Sequence, residues 1–204
     1  MSVADDTEGG LYTIVLAAGA ASRFGSPKQL VRISGRPLLH NTVSNAVEIT
    51  GAATIVVLGA YAAELAPLLS HTPASVLINR DWVEGIGSSI RRGVAALPST
   101  CTAVMVVLAD QAAVTAQDLQ RLVSAWKRQP EYVAAALYSG STGVPAIFPR
   151  SSFTELSQLR GDSGARRLLQ RNPDRVVRVP MDSAALDIDT PEDLLSLDAR
   201  QQNN

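Results

Sequence analysis

The chain has 204 residues, enough for one sizeable domain. Hydrophobic residues make up 46% of it, which excludes wholesale disorder, and a net charge of −1 leaves no global electrostatic case for binding nucleic acid or an anionic membrane. The one cysteine, Cys101, excludes an internal disulfide framework and suits a reducing cytoplasm, the expected location.

Met1 to Gly10 is polar and acidic, lacks the basic start and apolar stretch of a signal peptide, and reads as a frayed tail before a single domain over residues 11–200. No apolar run approaches the ~20 residues of a membrane span. Leu11 to Ala17 reads as a buried strand followed by a Gly-containing loop through Pro27. A helix is predicted over Pro37 to Ile49, with the proline in its first turn and Leu38, Leu39, Val43, Ala46 and Val47 on one face. Thr54 to Leu58 is a strand, Tyr61 to Leu69 a helix, Ala74 to Ile78 a strand and Ser88 to Leu97 a helix. The β-branched run Ala103 to Leu108 is the clearest strand. Thr115 caps a helix reaching about Lys127, with Asp118 at the capping-box position. Then come strands at Val133 to Tyr138 and Ala146 to Phe148, short helices at Ser151 to Leu156 and Gly164 to Gln170, a strand at Val176 to Val179 and a closing helix at Pro191 to Leu197. Near-continuous apolar strands separated by helices imply a three-layer α/β/α sandwich around a mainly parallel, Rossmann-like sheet. Ligands of such sheets sit beyond the carboxyl ends of the strands, near the switch in strand order.

Three segments carry chemistry. From Leu16 and Ala17 at the end of the first strand the chain runs into Ala18, Gly19 and Ala20, small residues that let backbone N–H groups of this segment approach phosphate oxygens. Arg23 and Lys28, flanking Gly25, add two cations, one suited to bidentate phosphate contact and one a mobile point charge. The alternative is a tight turn with solvated basic residues, but paired cations favour phosphate. Neither a Walker loop nor a dinucleotide fingerprint is present. Asp110 closes a strongly apolar strand, where a carboxylate either caps the next turn or binds a cation such as Mg²⁺. Asp187 and Asp189, two apart on an extended segment, point to one side; one could complete that metal site while the other caps the helix opening at Pro191. Gly85, Ser88 and Ser89 offer backbone and hydroxyls for a nucleoside, with Ser88 equally suited to an N-cap. His40 and His71 have no partner pattern, Trp82 and Trp126 read as packing residues, and Cys101 reads as inert.

The blocks Leu16-Ala17-Ala18-Gly19, Ser22-Arg23-Phe24-Gly25 and Pro27-Lys28-Gln29-Leu30, followed by Gly35 to Leu39, resemble the signature of molybdenum cofactor cytidylyltransferases and related nucleotidyltransferases. The resemblance runs over roughly residues 11 to 197, through Asn79 to Ile90, Leu108 to Gln111, Gly143 to Pro145, Gly161 to Arg166 and Asp187 to Leu194. It implies the nucleotide-diphospho-sugar transferase type of fold and transfer of a nucleotidyl group from a triphosphate to a phosphorylated acceptor. It further implies Mg²⁺ on Asp110 with Asp189 or Asp187, Lys28 and Arg23 on the phosphates, and an acceptor near Gly143, Val144, Asp162 and Arg166. Alanine at position 18 accompanies the cytidine enzymes of that family, so CTP is expected over GTP, with molybdopterin as acceptor and a molybdoenzyme receiving the product. Departures from the pattern stand at Ala21, Phe24, Ala112 and Val144. The competing readings are a guanylyltransferase using GTP, an enzyme acting on a sugar phosphate or methylerythritol phosphate, and a noncatalytic cofactor-binding maturation protein.

Overall fold

The computed structural model describes residues 10–20, 27–33 and 35–186. In chain order the elements are β1 Leu11–Ala17, β2 Arg32–Ile33, β3 Arg36–Pro37, α1 Leu38–Thr50, β4 Thr54–Leu58, α2 Ala62–Leu65, β5 Ser75–Ile78, α3 Ile86–Ala95 and β6 Ala103–Leu108. They continue with α4 Ala116–Arg128, β7 Val133–Tyr138, β8 Ser141–Pro149, α5 Phe153–Leu156, α6 Arg166–Arg171 and β9 Val176–Pro180. Seven strands form one sheet in the order β5-β4-β1-β6-β8-β7-β9, and β2 and β3 form a small separate ladder. All neighbours in the large sheet are parallel except those of β8, which runs antiparallel to both β6 and β7.

Period-two alternation in the central strands divides the core. Ile14 and Leu16 of β1 pack with Ile90 and Val94 of α3 and with Leu156, Leu168 and Leu169 of α5 and α6. Val15 and Ala17 face the other way, onto Leu39, Val43 and Ala46 of α1 and Leu65 of α2. On that second face Leu119, Leu122 and Trp126 of α4 cover Met105, Val107, Ala134 and Ile147. Helices on both faces bury the central strands, which is why β4 and β6 read as unbroken apolar runs.

Three departures from the sequence expectations bear on the sheet and the site. The strand expected at Ala146 to Phe148 is longer, because Ser141 to Thr142 and Gly143 pair with β7. Val144 and Pro145 fall where the β7–β8 register shifts, so the missing proline N–H removes no ladder bond. The helix expected from Tyr61 to Leu69 is a single α-turn followed by a 3₁₀ segment, Ala66–Leu69, with Pro67 at the junction. Helix α3 begins at Ile86, not at Ser88, with Gly85 as its N-cap residue. The tail Met1 to Gly9 and the closing helix at Pro191 to Leu197 lie outside the described residues. No helix among the described residues is long and apolar enough to cross a membrane.

Candidate functional site

The chain enters at β1, builds outward through β4 and β5, and returns to place β6 on the other side of β1. Between the carboxyl ends of β1 and β6, where the order reverses, lies a cleft of about 440 Å³. Its floor is Leu16 to Ala20 from the end of β1 and Leu108, Ala109 and Asp110 from the end of β6. Lys28 and Gln29 close one side, and Trp82, Val83, Gly85, Ile86, Ser89 and Asp162 the other.

Lys28 Nζ donates to Asp110 Oδ2 at 2.7 Å across this cleft, joining residues far apart in sequence. The two side chains are only 13% and 24% exposed, so the contact is a half-buried, charge-assisted hydrogen bond. The other carboxylate oxygen, Asp110 Oδ1, is buried without a hydrogen-bond partner. A desolvated carboxylate oxygen left unsatisfied costs about 1–3 kcal/mol or more, and a cation at that point would remove the penalty. Gln29 shows the same pattern. Its Nε2 donates to Gly19 O at 3.2 Å and to Ala17 O at 3.4 Å, pinning the loop after β1, while its Oε1 is buried and unpartnered. A Cβ built on Gly19 meets no described atom within 4 Å, so space above the loop is open to a ligand. The orphaned acceptors and that space fit a hydrated or phosphate-bound divalent cation, although no cluster of three ligating side chains forms among the described residues.

The opposite wall is built by close backbone approach. Gly85 has φ +112°, and a Cβ there would collide with Gly161 and with Asp162 Oδ1. Gly87 N donates to Gly161 O at 2.9 Å. Glu84 and Arg91 form a two-point ion pair, at 2.8 and 2.6 Å, and Arg91 also donates to Leu159 O. The Arg91 guanidinium holds the Glu84 carboxyl down to a pKa of about 2, against the opposing effect of desolvation. Gly161 N also donates to Glu84 Oε1 at 3.5 Å, so the clasp holds the segment that leads into Asp162.

The sequence matches the MobA-like NTP transferase domain over residues 13–179, most of the chain. The chain belongs to the MobA-like NTP transferase family. It is 30% identical to the nicotine blue oxidoreductase of Paenarthrobacter nicotinovorans over 196 residues, covering 90% of this chain and 94% of that protein. It is also 30% identical to the purine catabolism protein PucB of Bacillus subtilis strain 168, covering 90% and 93%. Among solved structures it is similar to Rv0371c of Mycobacterium tuberculosis H37Rv, with a TM-score of 0.81, 26% identity and coverage of 94% and 98%. That protein has also been solved in complex with manganese. Together with the resemblance in fold to solved nucleotidyl transferases, family membership identifies this MobA-like protein as a nucleotidyltransferase with the expected α/β architecture.

Of the expected site residues, the MobA-like cleft gathers Leu16, Ala17, Ala18, Gly19, Ala20, Lys28, Gly85, Ser89, Asp110 and Asp162. It does not gather Ser88, which is 3% exposed and has its hydroxyl occupied. Ser88 Oγ lies 2.9 Å from Asp81 O and 2.8 Å from Gly85 O, and accepts from Asn79 Nδ2 at 2.8 Å. Asn79 bonds Ser89 and the Asp81 N–H as well, so it locks the turn into α3. Ser88 is therefore neither a cleft residue nor the N-cap. Gly143 packs under the Tyr138 ring, Val144 presents its carbonyl to Gln111, and Arg166 is an exposed residue opening α6; none lines the cleft. Arg23, Gly25, Asp187 and Asp189 lie outside the described residues. Six cleft residues were not nominated from the sequence: Gln29, Trp82, Val83, Ile86, Leu108 and Ala109. Gln29 sits beside Lys28 in the 3₁₀ turn Lys28–Leu30, and a second polar residue directly after the cation was a signal there to read. Trp82, expected as packing, lines the cleft, and no local pattern separates those two roles. Trp126 does pack, with its Nε1 donating to Pro130 O. Burial raises the Cys101 thiol to a pKa of about 11, so it is a poor nucleophile.

Proposed function

We propose that this nucleotidyltransferase uses Mg²⁺ to transfer CMP from CTP to a phosphorylated acceptor of the molybdopterin type, releasing pyrophosphate. The observation that carries the reading is the Lys28–Asp110 pair at the β1–β6 switch, with one carboxylate oxygen buried and unpartnered. In the reaction an acceptor phosphate oxygen attacks the α-phosphorus. The bond to the α–β bridging oxygen breaks, and pyrophosphate leaves with that electron pair. A phosphate nucleophile is already ionised near neutral pH, so no side-chain base is needed. The protein's work is alignment and neutralisation of charge.

Asp110 is assigned as the metal ligand from β6, with Asp189 and Asp187 as further ligands. Held there, Mg²⁺ would supply positive charge to offset the negative charge that develops on the reacting phosphates. Lys28, on its flexible stem, swings from Asp110 to the α-phosphate and the leaving group, with Arg23 assisting. Gln29 holds the loop from Leu16 to Ala20 in register for the phosphates, and Gly25 allows their close approach. Ala18 supports a cytidine preference: its methyl narrows the floor beside Gly59, where a Cβ would already meet Ala18. One methyl discriminates by only about 1–3 kcal/mol, so some use of GTP is expected. Asp162, on the cleft rim, is assigned to the acceptor side, with Arg166, Gly143 and Val144, outside the cleft lining, as further acceptor-side candidates. A cytoplasmic molybdoenzyme is the proposed recipient of the product.

The test is pyrophosphate release from CTP, GTP, ATP and UTP, with Mg²⁺ or Mn²⁺, and with molybdopterin, a sugar phosphate or methylerythritol phosphate as acceptor. CTP with molybdopterin is expected to give the highest kcat/KM. Turnover confined to another acceptor would replace the pterin assignment. Nucleotide binding without pyrophosphate, unchanged by Asp110→Ala, would sink the catalytic reading in favour of a carrier. Because one relative bears an oxidoreductase name, an NADPH arm belongs in the same panel. NADPH oxidation without pyrophosphate release would overturn the proposal.

A further inference from the structure

The cleft holds one large side chain that the core does not claim. Trp82 is half-buried and lines the cleft, yet it belongs to none of the apolar clusters among the described residues. Trp126 shows the other case: it is 9% exposed, sits in the cluster between α4 and the sheet, and donates its Nε1 to Pro130 O. The turn that carries Trp82 is held firmly. Asn79 N donates to Leu58 O at 2.8 Å and Asp81 N donates to Asn79 Oδ1 at 3.0 Å, so the chain leaving β5 stays against the end of β4. Gly85 N donates to Trp82 O at 3.0 Å and closes the turn. Gly59, just after β4, lets this turn press against the loop after β1. A Cβ on Gly59 would stand 2.7 Å from Trp82 Cβ, 2.8 Å from Ala18 Cβ and 2.5 Å from Ala18 O. Trp82 and Ala18 are therefore neighbours across a gap that only glycine leaves open.

The two sides of the cleft differ in chemistry. Lys28, paired to Asp110, charges one; Trp82, Ile86 and Val83, the last 76% exposed, give the other its apolar surface. A phosphate loses hydration against such a surface and gains no partner there. A flat, uncharged heteroaromatic ring gains both burial and stacking. We propose that Trp82 receives the base of the nucleoside triphosphate and so sets the direction of the ligand, with its base beside Ala18 and Trp82 and its phosphates towards Lys28 and Asp110. The inference rests on the reading of the cleft as the triphosphate site, and adds to it the surface that recognises the base. Stacking is tolerant of base identity, because every base has a π-face. Trp82 therefore supplies affinity for bases as a class, and the choice between cytosine and guanine is left to the floor at Ala18. The ring system of a pterin acceptor is flat too, but Trp82 stands beside the loop assigned to the triphosphate, and that contact commits it to the base.

The test compares ligands with and without a base. CTP, GTP and tripolyphosphate, each with Mg²⁺, are titrated calorimetrically into the full chain and into its Trp82→Ala variant. Loss of the indole is expected to raise the Kd for CTP and GTP about tenfold and to leave that for tripolyphosphate unchanged. Trp82→Tyr should recover most of the lost affinity and Trp82→Leu little of it, since leucine keeps apolar bulk without a ring face. In a Trp126→Phe background Trp82 is the one remaining tryptophan, and CTP is expected to quench its emission more deeply than tripolyphosphate does. Equal weakening of CTP and tripolyphosphate would show a residue that only shapes the loop, and would overturn the inference. So would unchanged CTP affinity in Trp82→Ala, or a loss confined to molybdopterin. If Trp82→Ala does not fold, Trp82→Leu decides with the same ligands: weaker CTP with unchanged tripolyphosphate supports the inference, and any other pattern overturns it. Failure of the unsubstituted chain to bind CTP, GTP or tripolyphosphate would instead remove the triphosphate site itself, and the inference with it.

Discussion

Two aspartates stand one loop apart and meet opposite fates. Asp118, in the first turn of α4, accepts from the Thr115 N–H at 3.0 Å, the Thr115 hydroxyl at 2.9 Å and Ser183 Oγ at 2.9 Å, and pairs with Arg121 at 2.5 Å. Burial alone would raise its pKa, but the Thr115, Arg121 and Ser183 hydrogen bonds outweigh it and hold the carboxyl below the usual range. Every direction around Asp118 is filled by this protein, with the reciprocal Asp118 N–H to Thr115 bond completing a capping box. Asp110, at the end of β6, has Lys28 on one oxygen and no partner on the other. A carboxylate satisfied from within its own fold contributes stability. One left short of partners at the mouth of a cleft is matched to something the fold does not supply.

Substituting the two in parallel sharpens this contrast. Asp110→Ala is expected to reduce pyrophosphate release by about 10³-fold while leaving the urea midpoint nearly unchanged, since it removes an orphaned oxygen along with an ion pair. A collapse in stability with turnover retained would invert the comparison. Lys28→Ala should follow, lowering kcat by about 10²-fold with an unchanged far-ultraviolet circular dichroism spectrum. Asp118→Ala should do the opposite of Asp110→Ala, lowering unfolding free energy by about 2 kcal/mol in urea titrations, because a cap and its partners are lost together. Its turnover per folded molecule should fall far less than that of Asp110→Ala.

The smallest expected effect belongs to the exposed Glu84–Arg91 clasp. The Glu84 pKa is lowered on folding from 4.5 to about 2, so its contribution is present above the unfolded value and is lost as pH falls towards 2. Glu84→Gln should therefore flatten the acid limb of the stability curve between about pH 4.5 and 2, an effect that moderate salt shrinks. An acid limb identical to that of the unsubstituted protein would show that the clasp is not formed in solution.

Much of the fold was legible because its signals are local. β1, β4, β6 and β7 begin and end where their apolar runs do, and the α4 cap was readable from Thr115 and Asp118 alone. The antiparallel β8 was only partly legible. Ser141 and Gly143 carry little strand propensity, and their pairing with β7 supplies what those residues lack. The site divides in the same way. The small residues from Leu16 to Ala20, together with Lys28 and Asp110, could be nominated one by one as phosphate or metal groups. Ser88 could not be settled, because whether a serine faces a ligand or its own turn depends on Asn79, which the register of β5 and the following turn brings against it.

The sequence by itself determined the alternation of strands and helices, the small-residue loop with its cations, and the polar strand end at position 110. These follow from period, side-chain size and charge, which act over a few residues. Only the tertiary structure decided that Lys28 meets Asp110, that Trp82 faces a cleft while Trp126 packs, and that Gln111 joins β6 to β8 and to the turn at Ala184. Such contacts are fixed by strand order and by the satisfaction of buried donors and acceptors across the whole sheet, and no short window of sequence holds both partners.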